Sequence, residues 1–225
     1  MIRDFLSILF PASCVSCNDN ITNTEKLVCT ACRAQLPITD HYLYLENDFK
    51  KKFYGKLPVV QAFAYLKYVK PSIVQKLLHQ LKYRGVEEIS SMMGYWHATQ
   101  LQQCPYFEKP ELLVIVPLHK SKLKKRGYNQ VKGYASALSK TLSIPFSDDA
   151  LKRNANTNTQ TKKSRYDRWQ NVNEIFEVNN AEIVKDKHIF LADDVVTTGA
   201  TLEACGNRLL EAGAKSISFV AMATA

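Results

Sequence analysis

The chain has 225 residues, 46% of them hydrophobic and 23% charged, which is the balance of a globular protein of one large domain or one domain plus a small module. A formal charge of +9 favours anionic partners such as phosphates, nucleic acid or a lipid surface, without choosing among them. No apolar run is long enough to span a bilayer, and Asp4 interrupts an opening stretch that no basic region precedes, so the expected location is the cytoplasm.

Residues 1–10 read as a short helix with Phe5, Leu6, Leu9 and Phe10 on its apolar side. It either packs on the cysteine-rich segment beside it or makes a weak peripheral contact at the inner membrane. That segment holds two pairs, Cys14-x-x-Cys17 and Cys29-x-x-Cys32, separated by eleven mostly polar residues. Such pairs can present four thiolates tetrahedrally to one Zn²⁺, and a reducing cytosol favours metal over disulfides. A pair of redox dithiols and a remnant ribbon without metal are the alternatives. Four sulfur ligands leave no position for a substrate water, so the Zn²⁺ would be structural. The expected organisation is a helix and zinc ribbon over 1–36, a linker over 37–58 ending in "KKKFYGKLP", and the main domain over 59–225.

From Val59 the pattern alternates. "VVQAFAYLKY" reads as a strand, and "PSIVQKLLHQLKYRG" as a helix with Pro71 near its start and Gly85 past its end. A second helix spans Glu87 to about Gln102. "ELLVIVPL" is a buried strand ending at Pro117, and "YNQVKGYASALSKTL" is the helix after it. A polar segment, 152–171, precedes the strand "HIFLA", the helix "ATLEACGNRLLEAGA" and a last strand, "SISFVAMATA". Uniformly apolar strands alternating with helices specify a parallel twisted sheet flanked by helices, an α/β fold that binds ligands at the carboxyl ends of its strands.

One such end carries "IFLADDVVTTGATLEACG". A Thr- and Gly-rich turn entering a helix offers amides and hydroxyls to an anion, and the helix dipole adds to the attraction. Asp193 and Asp194 would repel that anion unless they face hydroxyls, and a ribose presents two hydroxyl donors side by side. A sugar phosphate satisfies both halves of the motif. The plainer reading is that the aspartates cap the loop or the helix.

The stretch "FLADDVVTTGAT" resembles the phosphoribosyl pyrophosphate signature of type I phosphoribosyltransferases. The resemblance implies that Asp193 and Asp194 take the ribose, and that Thr197, Thr198, Gly199, Ala200 and Thr201 take the 5′-phosphate. Together with the ribbon, "LKYRG" at 81–85, "VPLHKSKLKKRGYNQ" at 116–130 and "RYDRWQNVNEIF" at 165–176 resemble, over essentially the whole chain, the ComF family of competence-associated proteins. Those proteins are often labelled amidophosphoribosyltransferase-like. No N-terminal cysteine nucleophile with an ammonia-generating domain is present, so that likeness covers the phosphoribosyl half alone.

In related enzymes the turn after the neighbouring strand contacts pyrophosphate, which implies a role for Leu118, His119 and Lys120, with Arg126 and Asn129 making polar contacts. Mg²⁺ would accompany the pyrophosphate. Arg153, Gln160 and Arg168 match a hood that closes over such sites. Alternatively, the basic and aromatic residues of that segment face single-stranded nucleic acid, or Tyr166 and Trp169 are core residues of a short helix. Three roles are open. The first is a competence factor that handles incoming single-stranded DNA beside a helicase or recombination protein, its cradle holding phosphoribosyl pyrophosphate or a nucleotide-like ligand. The second is an active transferase with an unidentified acceptor, and the third is a ligand sensor acting through a protein partner.

Overall fold

The computed structural model describes residues 12–22, 24–154 and 175–225. The expected helix at 1–10 lies outside the described residues, as do Gln160, Arg168, Tyr166 and Trp169 of the expected hood.

The ribbon occupies residues 12–36, with α1 at Thr30–Ala34. A short helix comes next, α2 at Asp48–Lys51. The main domain then runs β1 (Val59–Lys67), α3 (Ile73–Tyr83), α4 (Glu88–Leu101), β2 (Leu112–Ile115), α5 (Lys120–Arg126), α6 (Val131–Leu142) and β3 (Phe146–Ser147). It continues with β4 (Leu151–Arg153), β5 (Phe176–Val178), β6 (His188–Val196), α7 (Ala200–Glu211) and β7 (Ser216–Thr224). Five strands form a parallel sheet in the order β1-β7-β6-β2-β3, while β4 and β5 pair antiparallel beside it.

Strand alternation sorts the core onto the two faces of the sheet. Phe63, Leu113, Ile115, Phe190, Ala192, Val220 and Met222 pack with α3, α4, α6 and the ribbon. Ala62, Ala64, Val114, Ile189, Leu191, Ile217 and Phe219 pack with α2 and α7. Helix α3 is set by Ser72, whose hydroxyl accepts from the Gln75 amide, and buries Val74, Leu77, Leu78 and Leu81 at helical spacing. Helices α4 and α6 come into close contact at Gly94, where a Cβ would lie 2.4 Å from the Tyr134 carbonyl oxygen.

Two segments differ from the sequence reading. Residues 37–58, expected as a linker, are stitched onto the sheet. Ile38 bridges Leu66, the Thr39 amide donates to the Tyr65 carbonyl, and Asn47 Nδ2 donates to the Ala62 carbonyl at 3.0 Å. Phe49, Phe53 and Leu57 recur every fourth residue, and all three are buried in the core with α7. Their hydrophobic burial, about 1.5–3 kcal/mol per side chain, outweighs the polar composition around them. The second difference is that the lysine-rich run between β2 and the helix expected after it is itself a helix, α5. His119 caps it by accepting from the Ser121 amide, and Gly127 ends it at φ 84°.

Candidate functional site

The site is assembled where β6 hands over to α7. At that point the main chain leaves the sheet at Val196, turns through Thr197–Gly199 and enters the helix at Ala200. Gly199 is required twice. Its φ of 83° lies in the left-handed region, and a Cβ there would stand 2.7 Å from Phe53 Cε1 and 2.9 Å from Cζ. Phe53 is held against Phe219 with ring centroids 4.4 Å apart, so the segment expected as a linker forms the floor of the turn. Thr197, Thr198, Ala200 and Thr201 are exposed at its rim. Among the described residues the hydroxyls of Thr197 and Thr201 hold no partner, and the first amides of α7 lack intrahelical acceptors. An anion arriving from solvent meets amides, hydroxyls and the positive end of a helix.

The two aspartates lie side by side in sequence and diverge in space. By strand alternation Asp193 belongs with Leu191 on the α7 face, and Asp194 with Ala192 on the α3/α6 face. Asp193 Oδ1 accepts from the Asp194 amide at 2.8 Å. Asp194 Oδ2 is held by Lys82 Nζ at 2.5 Å and by Gln130 Nε2 at 2.8 Å, while its Oδ1 accepts from the Val195 amide at 2.6 Å. Burial and the neighbouring Asp194 charge push the Asp193 carboxyl up to about 8. Burial opposes the Asp194 charge as well, but the Lys82 ammonium and the hydrogen bonds outweigh it and hold that carboxyl below its ordinary value. The two carboxyls are thus pushed in opposite directions, and the single lysine sits on Asp194.

Of the residues expected to meet pyrophosphate, Leu118 and His119 form the approach to α5, and Lys120 is its first helical residue, exposed. Asn129 is committed to the fold, donating to the Val116 carbonyl at 3.1 Å and accepting from the Val131 amide at 3.0 Å. Arg126 donates to Gln130 Oε1 at 2.6 Å and lies over the Tyr83 ring, 5.6 Å from its centroid. Arg153 sits in β4, in the small antiparallel sheet, over Phe176. Lys82, Gln130 and Phe53 have no role assigned from sequence. The first two stand inside the family marks "LKYRG" and "RGYNQ", while nothing local singles out Phe53.

In the ribbon the four cysteine sulfurs lie within 4.8 Å of one another, and Cys17 Sγ to Cys29 Sγ is 3.7 Å. Four sulfurs about 2.3 Å from a tetrahedral zinc stand about 3.8 Å apart, so the donor set and spacing fit that ion. The Cys29 amide donates to Cys14 Sγ and the Cys32 amide to Cys29 Sγ, each at 3.4 Å. Val28, Cys29, Cys32 and Leu36 are buried in the main core, so the ribbon is anchored to the sheet domain.

Residues 125–225 match the phosphoribosyl transferase domain family, and residues 5–42 match the double zinc ribbon domain family. The chain thus joins a zinc-ribbon module to a domain of the type I phosphoribosyltransferase fold. Competence protein F of Haemophilus influenzae is 26% identical over 96% of this chain and 98% of its own length. The DNA utilization protein YhgH of Escherichia coli is 28% identical over 87% of this chain and 83% of its own. Competence protein ComFC of Bacillus subtilis is 31% identical over 67% and 60% respectively. Within its class the chain is a homologue of the ComF-type competence proteins. Among the described residues no helix is long and apolar enough to cross a membrane.

Proposed function

We propose that the chain binds a 5-phosphorylated ribose, with phosphoribosyl pyrophosphate and Mg²⁺ as the fullest form of that ligand, and that it uses this site while handling single-stranded DNA in the cytoplasm during DNA uptake. The 5′-phosphate would rest on Thr197–Thr201, with the ribose hydroxyls at Asp193 and Asp194. The observation that carries the reading is the open turn of Thr197, Thr198, Gly199 and Thr201 above a buried Phe53, one residue pair beyond two carboxylates. Similarity to competence and DNA utilization proteins across most of the chain supports the biological half. The basic balance of +9 supports a polyanionic partner.

Calorimetric titration with phosphoribosyl pyrophosphate and Mg²⁺ tests the site. The parent is expected to bind, and Asp193→Ala/Asp194→Ala to lose binding; a parent that gives no heat rejects the assignment. Gel shifts with single-stranded DNA at low and high salt test the role, since phosphate-driven contacts weaken steeply as salt rises. The second reading, an active transferase, is supported by the completeness of the same loop. It predicts pyrophosphate release when a base, amine or DNA end is supplied as acceptor.

A further inference from the structure

A cavity of about 270 Å³ opens beside the diacid, lined by Lys82, Tyr83, Lys122, Lys125, Arg126 and Tyr128 with Gly85 at its edge. No carboxylate lines it. Among the described residues, Lys122, Lys125 and Arg126 form no ion pair, so three of the four cations that face the space are uncompensated. Its size is at the lower end of small-ligand sites, which begin at about 300 Å³, and suits a phosphate group or two rather than a whole nucleotide. The walls come from two elements that the fold fixes to each other. Tyr128 donates its hydroxyl proton to the Leu81 carbonyl, tying the chain after α5 to the end of α3. The Arg126 guanidinium over the Tyr83 ring makes a second link.

Two of the cavity's cations are also the ends of one polar chain. Arg126 donates to Gln130 Oε1, Gln130 Nε2 donates to Asp194 Oδ2, and the same Oδ2 receives Lys82. Lys82 therefore belongs to both places at once, pairing with Asp194 while lining the cavity. An anion in the cavity competes with Asp194 for the Lys82 ammonium and with Gln130 for the Arg126 guanidinium. Both competitions loosen the hold on Asp194 Oδ2 and leave its lone pairs for incoming hydroxyl donors. Without an anion, the ion pair occupies the carboxylate that the sugar needs.

We propose that filling this cavity, which shares Arg126 with the pyrophosphate contacts expected from the sequence, primes the ribose site by drawing Lys82 away from Asp194. The priming rests on the ribose reading of the diacid; the cavity as a phosphate subsite does not. By linkage the effect is reciprocal, so a sugar on Asp194 hands Lys82 to the cavity and tightens its anion. The phosphate could arrive in a free polyphosphate or in the backbone of a nucleic acid strand, which present the same chemistry.

The experiment uses the full chain and inorganic pyrophosphate without divalent metal, followed by calorimetry and by the side-chain amide resonance of Gln130. Lys122→Ala/Lys125→Ala removes two exposed cavity cations, and its thermal midpoint should match the parent. The pocket is supported if this variant binds pyrophosphate at least tenfold more weakly; equal affinity overturns it. Movement of the Gln130 amide on adding pyrophosphate supports the link to Asp194, and an unmoved resonance overturns that link. With pyrophosphate saturating, ribose 5-phosphate should bind at least about fivefold more tightly, the low end of ordinary coupling; unchanged affinity overturns the priming. If ribose 5-phosphate binds under neither condition while the first two results hold, the ribose reading fails and the phosphate subsite stands. Displacement of pyrophosphate by a short oligothymidylate assigns the subsite to backbone phosphate, and failure to displace assigns it to free polyphosphate.

Discussion

Replacing Gly199 with alanine probes the floor of the Thr197–Gly199 turn. At φ 83° a Cβ is strained by about 1–2 kcal/mol relative to glycine. The added methyl also meets Phe53 Cε1 at 2.7 Å and Cζ at 2.9 Å. Phe53 has no room to retreat, being 1% exposed and packed on Phe49 and Phe219. Overpacking of this kind costs about 1–3 kcal/mol. The total of about 2–5 kcal/mol corresponds to a fall in thermal midpoint of about 4–20 °C for a chain of this size. Phe53→Ala alone should cost about 3–5 kcal/mol through the cavity it leaves. In the double variant the clash is gone and only the strain remains, so the two changes should cost about 1–3 kcal/mol less together than the sum of their separate effects. Urea denaturation of all four proteins at fixed zinc closes the cycle. Additivity within about 0.5 kcal/mol would show that Phe53 does not support the turn.

Lys82→Met leaves the Asp194 carboxylate without its cation. Because the side chains are 21% and 13% exposed, the cost should be about 2–4 kcal/mol, somewhat below that of breaking a fully buried pair. Adding Asp194→Asn should recover most of it in denaturant melts, and a double variant no more stable than the single one would contradict the pairing. Asp193 titrates near 8 when folded, against an ordinary value near 3.8, so the folded chain must keep a proton that the unfolded chain releases. Its contribution to stability is neutral below pH 4 and turns unfavourable as pH rises from about 4 to 8. Asp193→Asn should flatten that part of the stability–pH curve, and an unchanged slope would assign it elsewhere. Phe49→Ala should destabilise by about 3–5 kcal/mol, as a core residue does and a linker residue does not. Metal analysis should find zinc bound in the parent, and Cys14→Ser/Cys17→Ser should lose it and unravel the contact that Val28 and Leu36 of the ribbon make with the sheet domain; a metal-free parent with the same thermal midpoint would dismiss a structural ion.

Chemistry that depends on neighbours in the chain could be read before any fold was known. The Cys-x-x-Cys pairs, the apolar strands and the Thr-Gly turn after β6 are local patterns, and each appears in the structure where its spacing placed it. Residues 37–58 escaped because three buried apolar residues among lysines look like a tether until a surface exists for them to cover. The divergence of Asp193 and Asp194 follows from strand alternation, but what waits on each face depends on the strand order β1-β7-β6-β2-β3. That order brings Gln130, 64 residues away, and Lys82 from the far end of α3 onto one carboxylate oxygen. A contact between distant segments leaves no periodic trace, since each partner is chosen by the packing of whole elements. The position of the candidate site was therefore legible in eighteen consecutive residues, whereas the partners of its two carboxylates and the cavity beside them are products of the assembled sheet.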